Sequence, residues 1–398
     1  MSSLENKNIL IGICGGIALY KICDLIRFLK NEKSNVKTVL TTGAEKFVSP
    51  LLFASLSGNK AYTQKDFFSP TGEILHIELS KFPDLILIAP ATASFISKLA
   101  AGSASELLLA ILLATKSPTY LFPSMNTHMW EHPAIQKNIE LLKNFGYFIY
   151  EPSEGTLVCE EVGKGKLPSP EEILEVIKAH FVKKTLIGKR VLITGGPTRE
   201  YIDEVRFITN ASSGKTAFYL AREAYYRGAE VHLIWGLESF PYVLPKLHYF
   251  SSIPFPSIYF VKTTKEMFEI SKNLFFKCDI CIFSAAPSDF RLKTPFKGKL
   301  KKAPITLDLE VTEDIAQILN SQKREGQITI GFALEEKALI NYGKKKKQEK
   351  FFDFLVANPI YTFGRESSDY ILFTPKEILK YENLSKIQLA KILFDLIG

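Results

Sequence analysis

The sequence predicts two consecutive α/β domains, because short apolar runs alternate with helical patterns along both halves of its 398 residues. In the first half, an apolar run over 8–13 ends at a Gly-Gly pair, and a helical pattern follows from Ile17 to Lys30. The same order begins again at 189–194. Parallel strands joined through helices form a doubly wound sheet, so both domains are expected to be Rossmann-like, with a boundary near residue 185.

The other elements of the first domain, residues 1–184, follow from the same patterns. Asp84–Ala89 is apolar on both faces, which is typical of a central parallel strand that is covered by helices on each side. The patterns predict strands at 8–13, 36–40, 84–89 and 118–122, and helices at 17–30 and 132–144.

The second domain, residues 185–398, is expected to contain its own sheet and crevice. A stretch rich in Pro, Tyr and Phe from Gly236 to Ser257 predicts a long loop or insertion. The patterns predict strands at 189–194, 230–235, 278–285, 327–333 and 353–357, and helices at 213–227, 264–276, 313–320 and 335–350.

The composition excludes disordered, fibrous and membrane-spanning proteins. A hydrophobic content of 46% is enough for two cores. The longest uncharged apolar run, Leu107–Ala114, is much shorter than the roughly 20 residues of a membrane helix, and the polar N-terminal stretch has no signal-peptide pattern. Five cysteines argue against a disulfide framework, so a reducing, cytoplasmic location is expected.

The net charge of +8 is compatible with nucleic acid, a membrane surface or small anions as partners. The densest basic runs, 297–302 and 344–347, have no aromatic residues at a stacking spacing and accompany no nucleic-acid motif. We therefore expect solvated surfaces or small anionic ligands, and neither a nucleic acid nor a membrane as a partner.

Two turns with glycines could hold a phosphate at the start of a predicted helix. Gly12-x-x-Gly15-Gly16 follows a strand, but its spacing differs from Gly-x-Gly-x-x-Gly. It suits the single phosphate of a mononucleotide, or it is a tight turn that holds nothing. Ser212–Thr216 resembles the end of a P-loop, but Thr209 stands where the first glycine belongs, so a Walker A loop is excluded.

Cys159 is the cysteine whose surroundings point to chemistry. It lies in a predicted loop, and the neighbouring Glu160 and Glu161 disfavour the thiolate. A protonated thiol suits a proton donor better than a nucleophile, and the alternative is an incidental cysteine. Cys278-x-x-Cys281 has no partner pair, so a zinc site is not expected.

Four polar residues are candidates with equally plausible structural roles. His76 lies on an amphipathic stretch and could be a packed histidine. Asn126 follows a predicted buried strand, where α/β sheets bind ligands. Lys299 and Asp289 could clamp a phosphate and its metal, or they could be surface charges.

Taken together, these segments resemble one family over nearly the whole chain, namely the bifunctional flavoproteins of coenzyme A synthesis. In that family a phosphopantothenoylcysteine decarboxylase is fused to a phosphopantothenate–cysteine ligase. The motifs that carry the resemblance are Gly15–Ala18, His76–Leu79, Ala89–Ala93, Pro123–Asn126, the Cys159 loop, Gly195–Glu200, Ile208–Lys215, Ser288–Arg291, Lys299–Lys302 and Gly331–Ala333.

For the second domain, the resemblance implies ligation of L-cysteine to 4'-phosphopantothenate with CTP and Mg²⁺ through an acyl-cytidylate. Lys299 would stabilise charge during activation, and Asn210 would act on the acyl-cytidylate. The residues that would line the nucleotide site are Asp289, Lys299, Glu313, Asp314, Ile315, Phe332, Lys346 and Lys350. The metal ligands are left open.

For the first domain, the resemblance implies FMN-dependent decarboxylation of the ligated product. His76 would act in oxidative decarboxylation, Asn126 would bind the substrate carboxylate, and Cys159 would donate a proton on reduction. The residues that would contact the flavin are Gly15, Gly16, Ile17, Ala18, Thr41, Ala89, Pro90, Ala91 and Thr92.

The resemblance also implies a homo-oligomer with a trimer-based decarboxylase core and dimeric ligase domains. The chain departs from the family at Cys14, where serine is usual, at Ser105-Glu106 and at Glu160. An alternative is a flavin-binding regulatory or interaction protein of the same fold. The joint presence of His76, Asn126 and Cys159 disfavours this alternative, because a protein that only binds flavin needs no proton donor.

Overall fold

The computed structural model describes residues 4–68, 74–156, 162–236, 241–242, 244–245, 254–336, 338–362 and 364–397. The chain divides into two compact units. The first is formed mainly by Met1–Val182, and the second by Lys183–Tyr242 and Ser252–Gly398. Each unit is an α/β domain built on a parallel sheet, so the predicted fold class is confirmed.

The first unit is built on a six-stranded parallel sheet of order β3-β2-β1-β4-β5-β6. A separate antiparallel hairpin, β7–β8, follows it. The elements are β1 Asn8–Ile13, α1 Ile22–Asn31, β2 Asn35–Leu40, α2 Pro50–Ser57, β3 Ala61–Tyr62, α3 Leu75–Lys81, β4 Leu85–Ala91, α4 Ala93–Ala100, α5 Leu107–Ala114, β5 Thr119–Pro123, α6 Thr127–Glu131, α7 Pro133–Asn144, β6 Phe148–Ile149, β7 Ser153–Thr156, β8 Val162–Lys166 and α8 Pro170–His180.

Helices cover both faces of this sheet, which explains why its central strands are apolar throughout. Every residue of β4 is buried. Leu85 and Leu87 join a core with α1, α2 and α8, whereas Ile86 and Ile88 join a core with α4, α5 and α7. Alternate residues of one strand thus fill two hydrophobic layers, as in doubly wound folds.

The predicted helix over 17–30 begins differently from the expectation. Ile17–Lys21 forms a 3₁₀ segment, and the α-helix starts at Ile22. No side chain caps the segment at Gly16. The apolar run over Leu107–Ala114 is helix α5, whose first six residues are buried. Among the described residues, no helix combines the length and the hydropathy needed to cross a membrane.

The second unit contains an eight-stranded sheet of order β13-β12-β9-β14-β17-β18-β19-β20. The first six strands are parallel, and β19 and β20 are antiparallel additions at one edge. The elements are β9 Arg190–Gly195, β10 Arg199–Tyr201, β11 Phe207–Thr209, α9 Lys215–Tyr226, β12 Glu230–Trp235, β13 Ser257–Phe260, α10 Thr264–Phe275, β14 Ile280–Phe283, β15 Phe290–Leu292, β16 Leu309–Val311, α11 Ile315–Asn320, β17 Ile328–Glu335, α12 Leu339–Glu349, β18 Phe354–Pro359, β19 Ser367–Phe373, β20 Ile378–Ser385 and α13 Lys386–Ile397.

The predicted helix over 335–350 starts too early. Leu334 and Glu335 pair with Asn358 and Pro359, so β17 continues to residue 335 and α12 begins only at Leu339. The loop expected over 236–257 lies largely outside the described residues.

A buried ion pair at the end of α9 contacts α13 in the second unit. The Arg227 Nε donates to Glu223 Oε1 at 2.9 Å, and the same guanidinium donates to the carbonyl of Lys391 at 3.3 Å. Both side chains of the pair are less than a tenth exposed. Without Glu223, the buried Arg227 guanidinium keeps only the largely exposed Asp395 carboxylate, 2.6 Å from its Nη2, so its charge is less well compensated.

We therefore expect Glu223→Ala to lower the free energy of unfolding of the second unit by about 2 kcal/mol. The exposed pair Lys345–Glu349 has the same i,i+4 spacing on α12, so Glu349→Ala is the matched control and should cost about 0.5 kcal/mol. Urea unfolding in a Trp130→Phe background measures both values, because Trp235 then reports on the second unit alone. Equal losses in the two variants would contradict the prediction.

Candidate functional site

The first candidate site lies where the strand order of the first sheet reverses. From β1, the chain continues outward through β2 and β3, and then returns to β4 on the other side of β1. This leaves a crevice beyond the carboxyl ends of β1 and β4. The turn after β1 is joined to β4 here, because the Cys14 N–H donates to the carbonyl of Pro90 at 3.3 Å. The Ala89–Pro90 peptide bond is cis.

Gly15 is required by a close approach of two backbone segments. A Cβ at Gly15 would lie 2.5 Å from the carbonyl carbon of Gly43, a distance that real Cβ atoms do not adopt. The Gly43 turn is itself held by Thr41, whose N–H donates to the carbonyl of Ile13 at 3.0 Å and whose Oγ1 accepts from Ala44 N–H at 3.3 Å. The loops after β1 and β2 therefore form one surface.

Most of the predicted flavin-binding residues border this crevice. A Cβ at Gly16 would lie 3.6 Å from Pro90 and 3.7 Å from Thr92, so the turn after β1 faces the end of β4. Ile17 and Ala18 open the uncapped 3₁₀ segment, whose first N–H groups can donate to an anion. Ala89 and Ala91 are buried within β4. A glycine cradle with uncapped N–H groups fits the phosphate of a mononucleotide.

The departures Cys14 and Glu106 lie beside this crevice. Burial raises the pKa of the Cys14 thiol to about 12, so this sulfur is a neutral thiol at physiological pH. Glu106 forms an ion pair with Lys98, and both charges act on Cys14. The hydroxyl of Ser103 donates to the hydroxyl of Ser105 at 3.0 Å. The crevice therefore has a charged pair, Glu106 and Lys98, near the position of the usual serine.

Asn126 lies at the same edge of the sheet, one strand further along. Strand β5 ends beside β4, and the Ser124 N–H donates to the carbonyl of Ala91 at 3.0 Å. Asn126 caps α6, with its Oδ1 accepting from the His128 N–H at 2.8 Å. His76 is half-buried in the first turn of α3, with its ring 5.7 Å from that of Phe67 in an edge-to-face contact.

The β7–β8 hairpin packs against the start of α6. The Met125 N–H donates to the carbonyl of Gly165 at 3.0 Å. A Cβ at Gly163 would lie 2.6 Å from the Thr127 Oγ1, so glycine allows this close contact. The candidate Cys159 and its neighbour Glu160 lie outside the described residues, in the sequence between β7 and β8.

The second candidate site lies at the corresponding reversal in the second sheet, beyond β9 and β14. The Ala286 N–H donates to the carbonyl of Gly196 at 2.9 Å and joins the two strand ends. The exposed Asn210 donates through Nδ2 to the carbonyl of Pro287 at 2.7 Å. Because this partner is a carbonyl, the orientation of the carboxamide is fixed, and its Oδ1 is left to accept a hydrogen bond.

Several predicted nucleotide-binding residues form a cluster of alternating charge. Lys350 Nζ lies 2.6 Å from Asp314 Oδ2, and Lys346 Nζ lies 3.8 Å from Glu335 Oε1. Asp289 lies close enough to act electrostatically on Lys346. Burial and the neighbouring Lys350 lower the pKa of Lys346, although the three carboxylates oppose this effect. The two amines are the cations of this cluster.

Glu313 is tied to the β15–β16 ribbon. The Arg291 Nη1 donates to both oxygens of Glu313 at 2.9 Å, and Arg291 Nε donates to Glu310 at 2.7 Å. Burial opposes ionisation of Glu313, but its own backbone N–H and Arg291 lower its pKa overall. Ile315 is buried in the core, and Phe332 is half-buried on β17.

Among the described residues, the Lys299 amine makes no hydrogen bond or ion pair with this cluster. It is exposed in the segment between β15 and β16. Within the part of the chain that the structure describes, no hydrogen bond or ion pair joins its amine to α12, nor is there a group of three or more His, Cys, Asp or Glu that could hold a metal ion.

Sequence reasoning missed Arg291 as a partner of Glu313, and it missed Asp203 and Arg206, which contact the Lys299 segment. The available signal for Asp203 was its type, since aspartate favours turns in which it accepts from N–H groups two and three residues ahead. Its contact with Leu300 spans 97 positions, so local pattern could not reveal it.

The contact of Gly15 with Gly43 leads to a test of the first crevice. Gly15→Ala forces the two loops apart at a cost of about 1–3 kcal/mol. We expect a loss of at least about tenfold in affinity for the flavin that the resemblance implies. Two measurements give this loss: the absorbance of oxidised flavin at about 450 nm, and a flavin titration.

Gly43→Ala, on the other side of the same backbone contact, is the stability control for this test. A Cβ at Gly43 would lie 3.4 Å from Gly15 Cα, an ordinary contact, so Gly43→Ala should melt close to the wild type. Undiminished flavin affinity in Gly15→Ala would show that the loops do not form the cradle.

In comparisons with known proteins, the two units match two different family models. The Flavoprotein family model matches residues 1–182, and the model of the DNA/pantothenate metabolism flavoprotein C-terminal domain matches residues 186–398. The coenzyme A biosynthesis bifunctional protein CoaBC of Bacillus subtilis is 43% identical over 366 residues, which are 91% of this chain and 88% of that protein.

CoaBC of Borreliella burgdorferi is 35% identical over 394 residues, 97% of this chain and 98% of the relative. A crystal structure of the C-terminal domain of a CoaBC protein is 32% identical, with a TM-score of 0.45, and covers 54% of this chain and 96% of that domain. Two relatives aligned over nearly their full length identify this chain as a member of the CoaBC family of bifunctional coenzyme A biosynthesis proteins.

Proposed function

We propose that this chain ligates cysteine to 4'-phosphopantothenate with CTP in residues 185–398. It then decarboxylates 4'-phosphopantothenoylcysteine to 4'-phosphopantetheine with FMN in residues 1–184. The observation that carries the proposal is the pair of crevices at the strand reversals of two separate parallel sheets, in a chain of the CoaBC family. Each crevice gathers candidate residues from distant segments.

The ligase chemistry needs the nucleotide because a carboxylate oxygen is a poor leaving group. Conversion of the carboxylate to an acyl-cytidylate releases pyrophosphate, and the amine of cysteine then displaces CMP. Lys346 and Lys350 supply positive charge for the triphosphate, and Asp289 and Asp314 are carboxylates of the kind that hold Mg²⁺ together with phosphate oxygens. Lys299 would neutralise charge that develops during activation.

Asn210 suits the second ligation step because its carboxamide is already oriented. Its Nδ2 is engaged by Pro287, so its Oδ1 would accept a hydrogen bond from the attacking amine or hold the acyl-cytidylate. Because the carboxamide is already oriented, it can stabilise the transition state without first having to be ordered.

The decarboxylase chemistry uses the first crevice. When bound, FMN supplies the two-electron chemistry that makes the thiol-bearing carbon an electron sink for the departure of CO₂. A carboxylate accepts hydrogen bonds, so the group of Asn126 that would bind the substrate carboxylate is its Nδ2 donor. His76 would hold or move the proton of the oxidative step, and the Cys159 thiol would donate a proton at the end.

We also propose a homo-oligomer, with trimer-based decarboxylase units and dimeric ligase units. Large apolar side chains of the first unit support association: Ile17, Tyr20, Phe47 and Leu51 are 54–71% exposed. The four described cysteines are free, which suits the reducing cytoplasm in which we place the reactions.

The direct test is incubation of the purified chain with 4'-phosphopantothenate, CTP, cysteine and Mg²⁺, followed by mass analysis for 4'-phosphopantetheine. Omission of CTP should prevent all product formation, because the carboxylate would not be activated. A chain that forms no amide product with CTP present would refute the ligase assignment.

Two variants should separate the activities. We expect Lys299→Gln to slow pyrophosphate release by about 10²-fold, because a cation at the reacting centre is lost, while supplied 4'-phosphopantothenoylcysteine is still decarboxylated at the wild-type rate. His76→Asn should do the reverse, so that the amide product accumulates. Pyrophosphate release and CO₂ release measure the two rates, and loss of both activities in either variant would contradict independent sites.

The lowered pKa of Lys346 predicts the pH dependence of CTP use. This amine loses its proton at a lower pH than an ordinary lysine, so kcat/KM for CTP should fall as pH rises from neutrality toward 10.5. Lys346→Arg keeps its charge over that range and should flatten the profile. Lys345→Arg, at an exposed position on the same helix, is the control; identical profiles for Lys346→Arg and the wild type would exclude Lys346 from the nucleotide site.

A further inference from the structure

The segment that carries Lys299 is held by a second part of the chain. Residues 202–206, between β10 and β11, form a turn that we call the anchoring turn, and residues 296–300 lie against it. The contacts are Phe296 N–H to the carbonyl of Ile202 at 2.9 Å, Gly298 N–H to Glu204 Oε1 at 3.2 Å, Leu300 N–H to Asp203 Oδ2 at 3.1 Å, and Arg206 Nη1 to the carbonyl of Leu300 at 3.1 Å.

Asp203 is the centre of these contacts. Its residue is 1% exposed, and each oxygen accepts two hydrogen bonds. Oδ1 accepts from the N–H groups of Val205 and Arg206, both at 2.7 Å, and so shapes the turn. Oδ2 accepts from Leu300 N–H at 3.1 Å and from the Arg206 guanidinium at 2.6 Å, and so holds the Lys299 segment.

The charge state of Asp203 suits this double task. Burial opposes its ionisation, but the hydrogen bonds from Val205, Arg206 and Leu300 outweigh burial and lower its pKa to about 2. The side chain is therefore a carboxylate throughout the physiological range, with four acceptor positions in use. A carboxylate is the side chain that accepts at both oxygens without donating.

We propose that Asp203 is a positioning residue for nucleotide activation, which holds the Lys299 amine in place through the backbone of Leu300. The inference rests on the proposed role of Lys299. Lysine has a long, flexible side chain, so the position of its amine depends on how firmly the backbone that carries it is held. Gly298 and Leu300 on either side of Lys299 both donate to the anchoring turn. Misplacement of a reacting group by about 1 Å can cost about 10²-fold in rate.

Asp203→Asn separates the two tasks of this side chain. The carboxamide oxygen can still accept from Val205 and Arg206, so the turn keeps its shape. The carboxamide NH₂ would replace Oδ2 and face two donors, the Leu300 N–H and the Arg206 guanidinium. The variant should therefore release the Lys299 segment without unfolding the turn.

The experiment measures pyrophosphate release by the full chain with CTP, 4'-phosphopantothenate and Mg²⁺. We expect Asp203→Asn to lower kcat by about tenfold with little change in KM for CTP. The double variant Asp203→Asn/Lys299→Gln should be no slower than Lys299→Gln alone, because Asp203 acts through Lys299. Losses that multiply in the double variant would overturn the inference and assign Asp203 a merely structural role.

Asp308→Asn is the matched control for these rates. Asp308 pairs with Lys293 in the same ribbon at 3.1 Å, and its side chain is 76% exposed, so this variant should keep the wild-type rate. If Asp308→Asn lowered kcat as much as Asp203→Asn does, the loss of any nearby carboxylate charge would explain the slower reaction, and the inference would be overturned.

Limited trypsin digestion gives a readout that is independent of activity. The released segment should be cut faster at the lysines of 297–302 in Asp203→Asn than in Asp308→Asn. Glu204→Gln, which weakens only the Gly298 contact, should give an intermediate rate if Asp203→Asn fails to fold. An unchanged digestion rate in a folded Asp203→Asn, or in Glu204→Gln if Asp203→Asn does not fold, would overturn the anchoring contact.

The outcomes distinguish this inference from the proposed function. A wild-type rate in Lys299→Gln would refute the role of Lys299, and with it the positioning role of Asp203. A slow Lys299→Gln together with a wild-type rate in a folded Asp203→Asn would overturn the positioning inference alone.

Discussion

Both units depend on one constraint, which is that parallel strands place all their carboxyl ends at the same edge of a sheet. Where the order of the strands reverses, two neighbouring loops leave in opposite directions and a crevice remains. In the first unit this geometry brings Gly15, Thr41 and Thr92 together from three loops. In the second unit it brings Asn210 to the end of β14. In the first unit, hydrophobic layers cover both faces of the sheet and support the strands beneath the crevice.

The cluster of alternating charge in the second unit balances its charges internally. Lys350 is paired with Asp314, and Lys346 lies near Glu335, Asp314 and Asp289. A cluster of this kind avoids uncompensated buried charge, because each cation has a nearby carboxylate. In the proposed complex, phosphate oxygens would take the place of the carboxylates as partners of the amines, and Mg²⁺ would take the place of the amines as the partner of the carboxylates.

The sequence was informative wherever structure depends on local pattern. The apolar runs predicted the central strands, because residues buried on both faces leave a continuous signal, as in β4. The antiparallel pair β19–β20 was not predicted, because burial alternates along β19 and no residue of β20 is fully buried, so neither strand is a continuous apolar run. The end of β17 was also missed, because pairing with Asn358 and Pro359 decides it rather than helical propensity. Long-range hydrogen bonds, such as that of Asp203 with Leu300, are properties of the folded chain alone.

The protonation state of the Cys14 thiol affects how well the first crevice resists oxidation. Reduced flavins react with oxygen to give peroxide, and the thiolate is the form of cysteine that peroxide attacks. With a pKa of about 12, Cys14 almost never carries that anion. The sulfur of Cys14 therefore lies beside a redox crevice in the protonated form, which peroxide attacks least.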